Sequence, residues 1–359
     1  MTEMSERTAP ERTAPADRRS PAAEILSWPG TRALIAVAAL FAVSPLIAIG
    51  SVGPTAIVSM LPFAALIAVV AIGQTLVIQQ GGLDLSIPGA VTLGALIAAK
   101  YGTEWDLTTA IIVAIVGTSL FGVLNGVVIA YFGLPPLVVT IAGNALMVGA
   151  VQAISGGFSE QTAKALSDFA LSRMWGLPVL AYIAVAIVIV VHVVLKLTRL
   201  GRRFELVGEN PRSAANIGIG TRGYVISAYW LSTLLGATTG VLLAGLLRLP
   251  TLTAGNEYLL PSIAAVVLGG TALTGGKGSL VGTALGALFL AQLGQLVATF
   301  TQATAVQNIV QALIIGVGIV AQLQLGGSSA RLRRLVRRTA VDTATTTPTP
   351  PPDSTRSEK

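Results

Sequence analysis

The stretch that decides the fold is AIGQTLVIQQGGLDLSIPGAVTLGALIAA, residues 71–99, in which a glycine doublet separates two apolar runs. A second stretch, VLGGTALTGGKGSLVGTALGALFLAQL at 267–293, repeats its order of Gly-x-Thr, Gly-Gly, Ser and Gly-Ala-Leu. The doublets begin at Gly81 and Gly275, 194 residues apart. Backbone that leaves a helix at membrane depth persists only where protein buries it or where it lines a cavity. Paired interrupted segments are typical of a solute path, so we predict broken or re-entrant segments near 81–89 and 270–279. The alternative is chance similarity between two stretches that are both rich in Gly, Ala and Leu.

The composition of the whole chain places these segments in lipid rather than in water. Of the 359 residues, 53% are hydrophobic and 11% are charged, whereas a soluble domain carries about 25% charged residues. This composition excludes a disordered chain and argues against a water-soluble globule of one or two domains. The chain has no cysteine, which excludes disulfides and thiolate metal sites.

The basic residues are grouped in a pattern that predicts the orientation of the chain in the membrane. Residues 1–32, 196–222 and 331–359 together hold 18 of the 23 lysines and arginines. Basic residues that flank apolar spans stay on the cytoplasmic side. We therefore expect both termini and the 196–222 loop to be cytoplasmic. Because the charge is placed this way, we expect no nucleic acid as a partner, although a formal charge of +7 could suggest one.

The apolar runs predict an all-α polytopic membrane protein with about ten transmembrane helices. A helix needs about 20 apolar residues to cross the bilayer core. The predicted spans are 33–49, 57–80, 87–99, 108–131, 137–155, 177–197, 224–247, 259–273, 279–300 and 306–325. Six spans before the basic loop and four after it agree with cytoplasmic termini. Two of them, 87–99 and 259–273, are shorter than the bilayer core requires.

The same reading divides the chain into three parts. Residues 1–30 are polar and charged, without an apolar run, and are predicted to form a disordered cytoplasmic tail. Residues 31–326 are predicted to form the transmembrane domain, with a polar loop at 198–222. Residues 327–359 are basic and then rich in threonine and proline, so they are predicted to form a second disordered cytoplasmic tail.

Glycines and polar residues in and near the two interrupted segments are candidates for lining a solute pathway. They are Gly81, Gly82, Asp84, Ser86, Asn125, Asn144, Gly275, Gly276 and Lys277. Asp84 or Ser86 could instead cap a helix that has Pro88 in its first turn. Lys277 could instead extend to the lipid headgroups. Asn125 and Asn144 are amides within apolar spans, where such groups bind between helices.

The residue patterns of catalysis and of cofactor binding are missing from the sequence. His192 is the only histidine, and no cysteine is available to join it in a metal site. The stretch GTALTGGKG resembles a phosphate-binding loop, but it departs from G-x-x-x-x-G-K-[ST] at Thr271 and at Gly278. Few acids lie at membrane depth, which argues against a proton or sodium relay. We therefore expect no cofactor, no metal and no enzyme activity, and an energy source on another polypeptide.

The polar loop between the sixth and seventh spans reads TRLGRRFELVGENPRSAANIGIGTRGY, residues 198–224. Asn210 can cap a short helix that has Pro211 at its first position, and Gly218 or Gly220 can end it. A short helix on the membrane surface is suited to bind a motor subunit. The composition also fits an ordinary basic cytoplasmic loop, so the residues alone leave both interpretations open.

Four stretches of the chain, in order, resemble the signatures of ABC sugar-importer permeases. They are GQTLVIQQGGLDLS, FGVLNGVVIAYFGLPPLVVTIAG, LGRRFELVGENPRSAANIGI and IAAVVLGGTALTGGKGSLVGTALGAL. The permeases concerned are of the ribose, xylose, rhamnose and autoinducer-2 type, within the branched-chain-amino-acid-permease-like superfamily. The resemblance covers residues 55–325, which is most of the chain.

This resemblance implies the membrane subunit of an ATP-driven importer of a monosaccharide or similar small polar solute, located in the cytoplasmic (inner) membrane. The implied partners are an ABC ATP-binding subunit that holds the ATP, an extracytoplasmic solute-binding protein, a second permease copy or paralogue, and membrane lipid. The resemblance places at the ATPase interface Arg202, Arg203, Gly208, Glu209, Asn210, Ala214, Ala215 and Gly218. The chain departs from the family at 211–213, where Pro-Arg-Ser replaces a Glu-Ala-Ala form.

Two other classes of protein are weighed against this one. An ion-coupled secondary transporter would need carboxylates at membrane depth, and few are present. An integral-membrane enzyme would need His, Asp or Glu clustered at one membrane face, and the sequence contains no such cluster.

Overall fold

The computed structural model describes residues 29–300 and a few positions between 303 and 316. Most of the predicted tail at 1–30 lies outside this part of the chain, and so does all of the predicted tail at 327–359. The predicted span at 306–325 also lies almost entirely outside it. The described residues therefore cover the first nine predicted spans.

The regular secondary structure of residues 29–300 is helical, apart from one β-hairpin with two residues in each strand. The helices are α1 (Pro29–Ile47), α2 (Pro54–Gln79), α3 (Ile87–Glu104), α4 (Leu107–Phe132), α5 (Pro136–Ser155), α6 (Lys164–Leu171), α7 (Val179–Leu197), α8 (Arg199–Glu209), α9 (Pro211–Asn216), α10 (Thr221–Leu247), α11 (Asn256–Leu268) and α12 (Leu280–Ala298). The hairpin pairs β1 (Arg173–Met174) with β2 (Leu177–Pro178) in antiparallel fashion. Each of the first nine predicted spans overlaps one helix, but the eighth, 259–273, continues past the end of α11 into a loop that begins at Gly269.

Seven helices of the described part are long and apolar enough to cross a membrane, namely α1, α2, α4, α5, α7, α10 and α12. The apolar helix α11 has only 13 residues, which corresponds to about 20 Å of rise. The prediction of an all-α, multi-pass membrane protein with interrupted spans is thus confirmed.

Helix α3 extends further than its predicted span of 87–99, because it continues to Glu104. Its last turns contain Lys100, whose Nζ donates to the carbonyl of Ile154 at 3.0 Å and lies 3.4 Å from Glu160 Oε1. These partners satisfy the cation, so the helix does not have to end where the apolar run ends.

Helix α10 lies at the centre of the bundle and packs closely against α2 and α3. A methyl group added to Gly73 of α2 would lie 2.9 Å from Ser232 Cα. One added to Gly240 of α10 would overlap the backbone of Val91 and Ala95 in α3. Small residues at helix contacts let the backbones approach, which is how helices associate in lipid. The core that positions the two interrupted segments is therefore built from close backbone contacts.

The outer surface of the bundle is apolar. On α7, for example, the side chains of Val185, Ile189 and Val190 are exposed. Large apolar side chains on the outside of a membrane protein face lipid, whose tails are as apolar as a protein core. This surface agrees with the multi-pass assignment and separates the lipid-facing helices from the polar interior.

Candidate functional site

The first interruption, between α2 and α3, is organised by a buried carboxylate. Asp84 Oδ1 accepts hydrogen bonds from the backbone N–H of Ser86 at 2.9 Å and from Ser86 Oγ at 2.5 Å. Asp84 Oδ2 accepts from Ser232 Oγ of α10 at 2.7 Å. Asp84 is fully buried and is the only buried charged side chain in the described part of the chain. It therefore shapes the turn at 84–86 and ties it to the central helix.

Neither Asp84 nor Ser86 caps α3 in the way that sequence reasoning offered as an alternative. Ser86 occupies the N-cap position of α3, but its side chain makes no capping hydrogen bond. Its hydroxyl instead donates to Asp84 and accepts from Asn125 Nδ2 at 3.2 Å. The polar groups of this turn satisfy one another, so a solute-lining role for them stays a prediction.

The two predicted intramembrane amides both bind at the start of α3. Asn125 reaches Ser86 from α4, and Asn144 Oδ1 of α5 accepts from the backbone N–H of Gly89 at 2.8 Å. The first N–H groups of a helix have no partner within the helix, and Asn144 supplies one from a neighbouring helix. Helices α3, α4, α5 and α10 therefore meet at one buried polar cluster around the first interruption.

The second interruption, between α11 and α12, is a loop with three glycines in the left-handed region. Gly270, Gly275 and Gly276 have φ values of +86°, +91° and +93°, which favour glycine. Ser279 ends the loop, and its Oγ accepts from the N–H of Gly282 at 3.1 Å and so caps α12. In both interruptions a serine thus stands immediately before the second helix.

The two predicted glycine doublets lie against each other. A methyl group added to Gly275 would lie 3.2 Å from the Cα of Gly81. The backbone N–H of Gly276 donates to the carbonyl of Gln79 at 2.9 Å. A further contact joins the flanking helices, since Thr75 Oγ1 and Thr283 Oγ1 are 3.0 Å apart. The two related segments therefore form one site, in which their glycine turns are in direct contact.

The predicted short helix in the polar loop is α9. Asn210 Oδ1 accepts from the N–H of Ser213 at 3.0 Å, Pro211 occupies the first turn, and Gly218 follows the helix with φ of +79°. A longer helix, α8, precedes it and was not predicted. Its buried positions are Gly201, Phe204 and Val207, and this three-residue spacing is the signal that identifies an amphipathic helix.

Of the eight residues assigned by resemblance to the ATPase interface, six are exposed and two pack against other parts of the chain. The exposed ones are Arg202, Arg203, Glu209, Asn210, Ala215 and Gly218. Ala214 is buried, and Gly208 packs against the carbonyl of Gln79. The loop thus presents a polar surface outward and a small apolar contact inward.

Helix α8 is joined to both interruptions. Gln80 Nε2 donates to the carbonyl of Phe204 at 2.9 Å, and Lys277 Nζ lies 3.2 Å from Glu209 Oε1. Lys277 is therefore paired with α8 in this structure. Sequence reasoning missed Gln79 and Gln80, although two glutamines that end an apolar run just before Gly-Gly were a visible signal.

A metal centre is not indicated by the part of the chain that the structure describes. Within it, no three Asp, Glu or His side chains are grouped closely enough to hold a metal ion. The polar groups that do cluster are one carboxylate, serine and threonine hydroxyls, and amides. Such groups can bind hydroxyl-bearing solutes through hydrogen bonds.

Comparison with known proteins places most of the chain in one family. Residues 56–319 match the family described as branched-chain amino acid transport system / permease component. The ribose import permease protein of Escherichia coli K12 is 33% identical over 69% of this chain and 79% of its own length. The autoinducer 2 import system permease protein of Escherichia coli SMS-3-5 is 31% identical over 73% and 83%. The fructose import permease protein of Bifidobacterium longum is 28% identical over 79% and 82%. No solved structure matches the chain.

Proposed function

This chain belongs to the branched-chain amino acid transport system permease family, with sugar-import permeases among its relatives, and from that premise we propose its function. It is the membrane subunit of an ATP-driven ABC importer for a monosaccharide or a similar small polar solute. It lies in the cytoplasmic membrane with both termini and the α8–α9 loop inside. ATP binds to a separate ABC subunit, a solute-binding protein delivers the solute outside, and a second permease copy or paralogue completes the path.

The observation that carries this proposal is the direct contact between the two interrupted segments and α8. The glycine turns meet at Gly81 and Gly275, and Gln80 and Lys277 join them to α8. Irregular backbone at membrane depth is buried in protein or lines a cavity, and paired interrupted segments are where many transporters bind their solutes. An ATPase that moves the exposed face of α8 and α9 would therefore act on the segments nearest the solute.

The role of ATP follows from the energetics of gating. A gate that binds its solute equally well from both sides shifts no equilibrium by itself. Accumulation needs a second process whose free energy differs between the outward-open and inward-open states, and the separate ATPase supplies it. The chain itself hydrolyses no ATP in this proposal, because its Gly-Gly-Lys-Gly stretch binds its own α2 and α8.

The chemistry of the interior supports a hydroxyl-bearing solute. Three of the nine predicted pathway residues, Asp84, Ser86 and Asn125, are joined by hydrogen bonds, and Ser232 binds the same carboxylate. Hydroxyl, amide and carboxylate groups offer the donors and acceptors that a sugar requires. An ion-coupled transporter is the alternative, and Asp84 is the one buried carboxylate of the described part that it could use.

The experiment that tests the proposal is solute uptake into proteoliposomes that contain this chain, its ATPase and its solute-binding protein. We expect uptake to require internal-face ATP and to persist when ionophores dissipate the proton and sodium gradients. Uptake that continues without ATP and stops with the ionophores would contradict the proposal and favour the ion-coupled alternative. Sugars supplied one at a time, with a sugar-free binding protein as the control, would identify the solute.

A further inference from the structure

Gln79, the last residue of α2, is the point where three segments of the chain converge. Its side chain is fully buried, and its carbonyl accepts the N–H of Gly276 at 2.9 Å. Gly208 of α8 packs on the same carbonyl so closely that any side chain there would overlap it. A methyl group added to Gly278 would lie 3.0 Å from Gln79 Cγ and Cδ and would overlap Nε2. Glycines of two different segments thus enclose one residue.

The contacts beside Gln79 join the same three segments. Gln80 Nε2 binds the carbonyl of Phe204 in α8, and Lys277 of the second interruption pairs with Glu209 at the end of α8. The Lys277–Glu209 pair is exposed, with side-chain accessibilities of 77% and 41%. Exposed pairs contribute little. The mechanical connection therefore depends on the packing around Gln79 more than on the ion pair.

The amide group of Gln79 makes no hydrogen bond to the described residues that would hold the side chain in place. Within the described part of the chain, neither Gln79 Oε1 nor Nε2 has a hydrogen-bond partner, although both are buried. Buried polar atoms without partners are costly, so the side chain contributes to this contact through its packing and not through its amide. Gly278 contacts this side chain, whereas Gly208 and Gly276 contact the backbone carbonyl of Gln79.

We propose that Gln79 is the positioning residue that transmits movement of α8 to both interrupted segments, an inference that rests on the proposed function. Since Gly208, Gly276 and Gly278 all contact Gln79, α8 cannot shift as a unit without moving the end of α2 and the loop before α12. Gly81 and Gly275, with φ of +76° and +91°, are the positions where the backbone turns next to this contact. The inner ends of both interrupted segments therefore move together.

The first test replaces the side chain in the assembled importer, and it measures solute uptake per ATP hydrolysed. Gln79→Ala removes the contact with Gly278 and leaves the carbonyl contacts with Gly208 and Gly276 in place. We expect it to lower this ratio about fivefold or more, a typical size for coupling between sites, while ATP hydrolysis persists. Gln79→Met keeps the length without the amide and should retain most of the coupling. Gln292→Ala is the matched control, because Gln292 is an equally buried glutamine that binds Ser44 and Ser51 far along the chain.

The outcomes of this test separate the possible roles of Gln79. An unchanged ratio in Gln79→Ala would overturn the inference. A loss in Gln79→Met as large as in Gln79→Ala would also overturn it, because the amide rather than the packing would then matter. Should the wild-type importer take up no solute with ATP, the proposed function fails and this inference with it. If the wild type and Gln79→Ala both take up the same amount of solute per ATP hydrolysed, only this inference fails.

A second test does not depend on how well the Gln79 variants fold. The chain has no cysteine, so Glu209→Cys with Lys277→Cys introduces a single thiol pair where the ion pair stands. We expect this pair to cross-link both without nucleotide and with bound ATP. We also expect the cross-linked protein to take up solute at the same rate as the same protein after reduction. Two results would show that α8 separates from the second interruption during transport: cross-linking in only one nucleotide state, or uptake that returns only after reduction. Either result would overturn the inference, which requires the two segments to move together.

Discussion

The hydrogen bond from Ser232 to Asp84 provides a sharp test of how the first interruption is held. Replacing Ser232 by alanine removes the only donor that reaches Asp84 from α10 in the described part of the chain. The two other hydrogen bonds to Asp84, both from Ser86, are local and remain. One carboxylate oxygen is then left buried without a protein donor.

The expected cost follows from the type of bond that is lost. A hydrogen bond to a charged group contributes about 1.5–3 kcal/mol. Alanine is a better helix former than serine by about 0.5 kcal/mol, which offsets part of the loss. We therefore expect Ser232→Ala to lower the free energy of unfolding by about 1–2.5 kcal/mol.

The matched control is Ser227→Ala on the same helix. The Ser227 hydroxyl donates only to the carbonyl of Tyr224, three residues earlier, so its loss leaves no buried charge unpaired. Equilibrium unfolding in mixed micelles, followed by the helical circular dichroism signal, compares the two variants directly. Equal unfolding free energies for Ser227→Ala and Ser232→Ala would refute the view that α10 holds the first interruption through Asp84.

Three further predictions concern other contacts of the same bundle. Gly240→Ala should destabilise the chain by about 1–3 kcal/mol through overpacking against α3. Gly149→Ala is the control and should not destabilise it, because a methyl group there meets nothing within 4 Å; thermal unfolding of both variants checks this. Asn144→Ala should free the N–H of Gly89 and cost about 1–3 kcal/mol, and faster hydrogen exchange at Gly89 would report it, while an unchanged exchange rate would count against the bond. Lys277→Gln should change stability by less than about 1 kcal/mol, because the pair with Glu209 is exposed; a larger loss that salt does not reduce would be contrary to this expectation.

Much of the helical architecture could be predicted, because hydropathy reports directly on membrane spans. The fifth predicted span, 137–155, differs from α5 by one residue at its start. Local polar signals were equally reliable at the polar loop, where Asn210 and Pro211 begin α9 as expected. Signals of this kind act within a few residues, so the sequence alone contains them.

What could not be predicted are the contacts between distant segments. The hydrogen bond between Asp84 and Ser232 joins residues 148 positions apart. The sequence of an apolar helix does not indicate which of its hydroxyl groups will bind a distant residue. The repeated doublets predicted two related interruptions, but not that Gly81 and Gly275 would touch. Helix α8 was missed because its composition is that of a basic loop, in which the spacing of Gly201, Phe204 and Val207 is the only helical signal.

The central claim is that the chain is a gate with no energy source of its own. The most direct measurement is the ratio of internal to external solute at steady state in proteoliposomes that contain the chain alone, compared with liposomes that also contain its ATPase and solute-binding protein. With ATP and an imposed ion gradient present in both, we expect the lone chain never to exceed a ratio of one and the complete importer to exceed it. Accumulation by the lone chain would contradict the account.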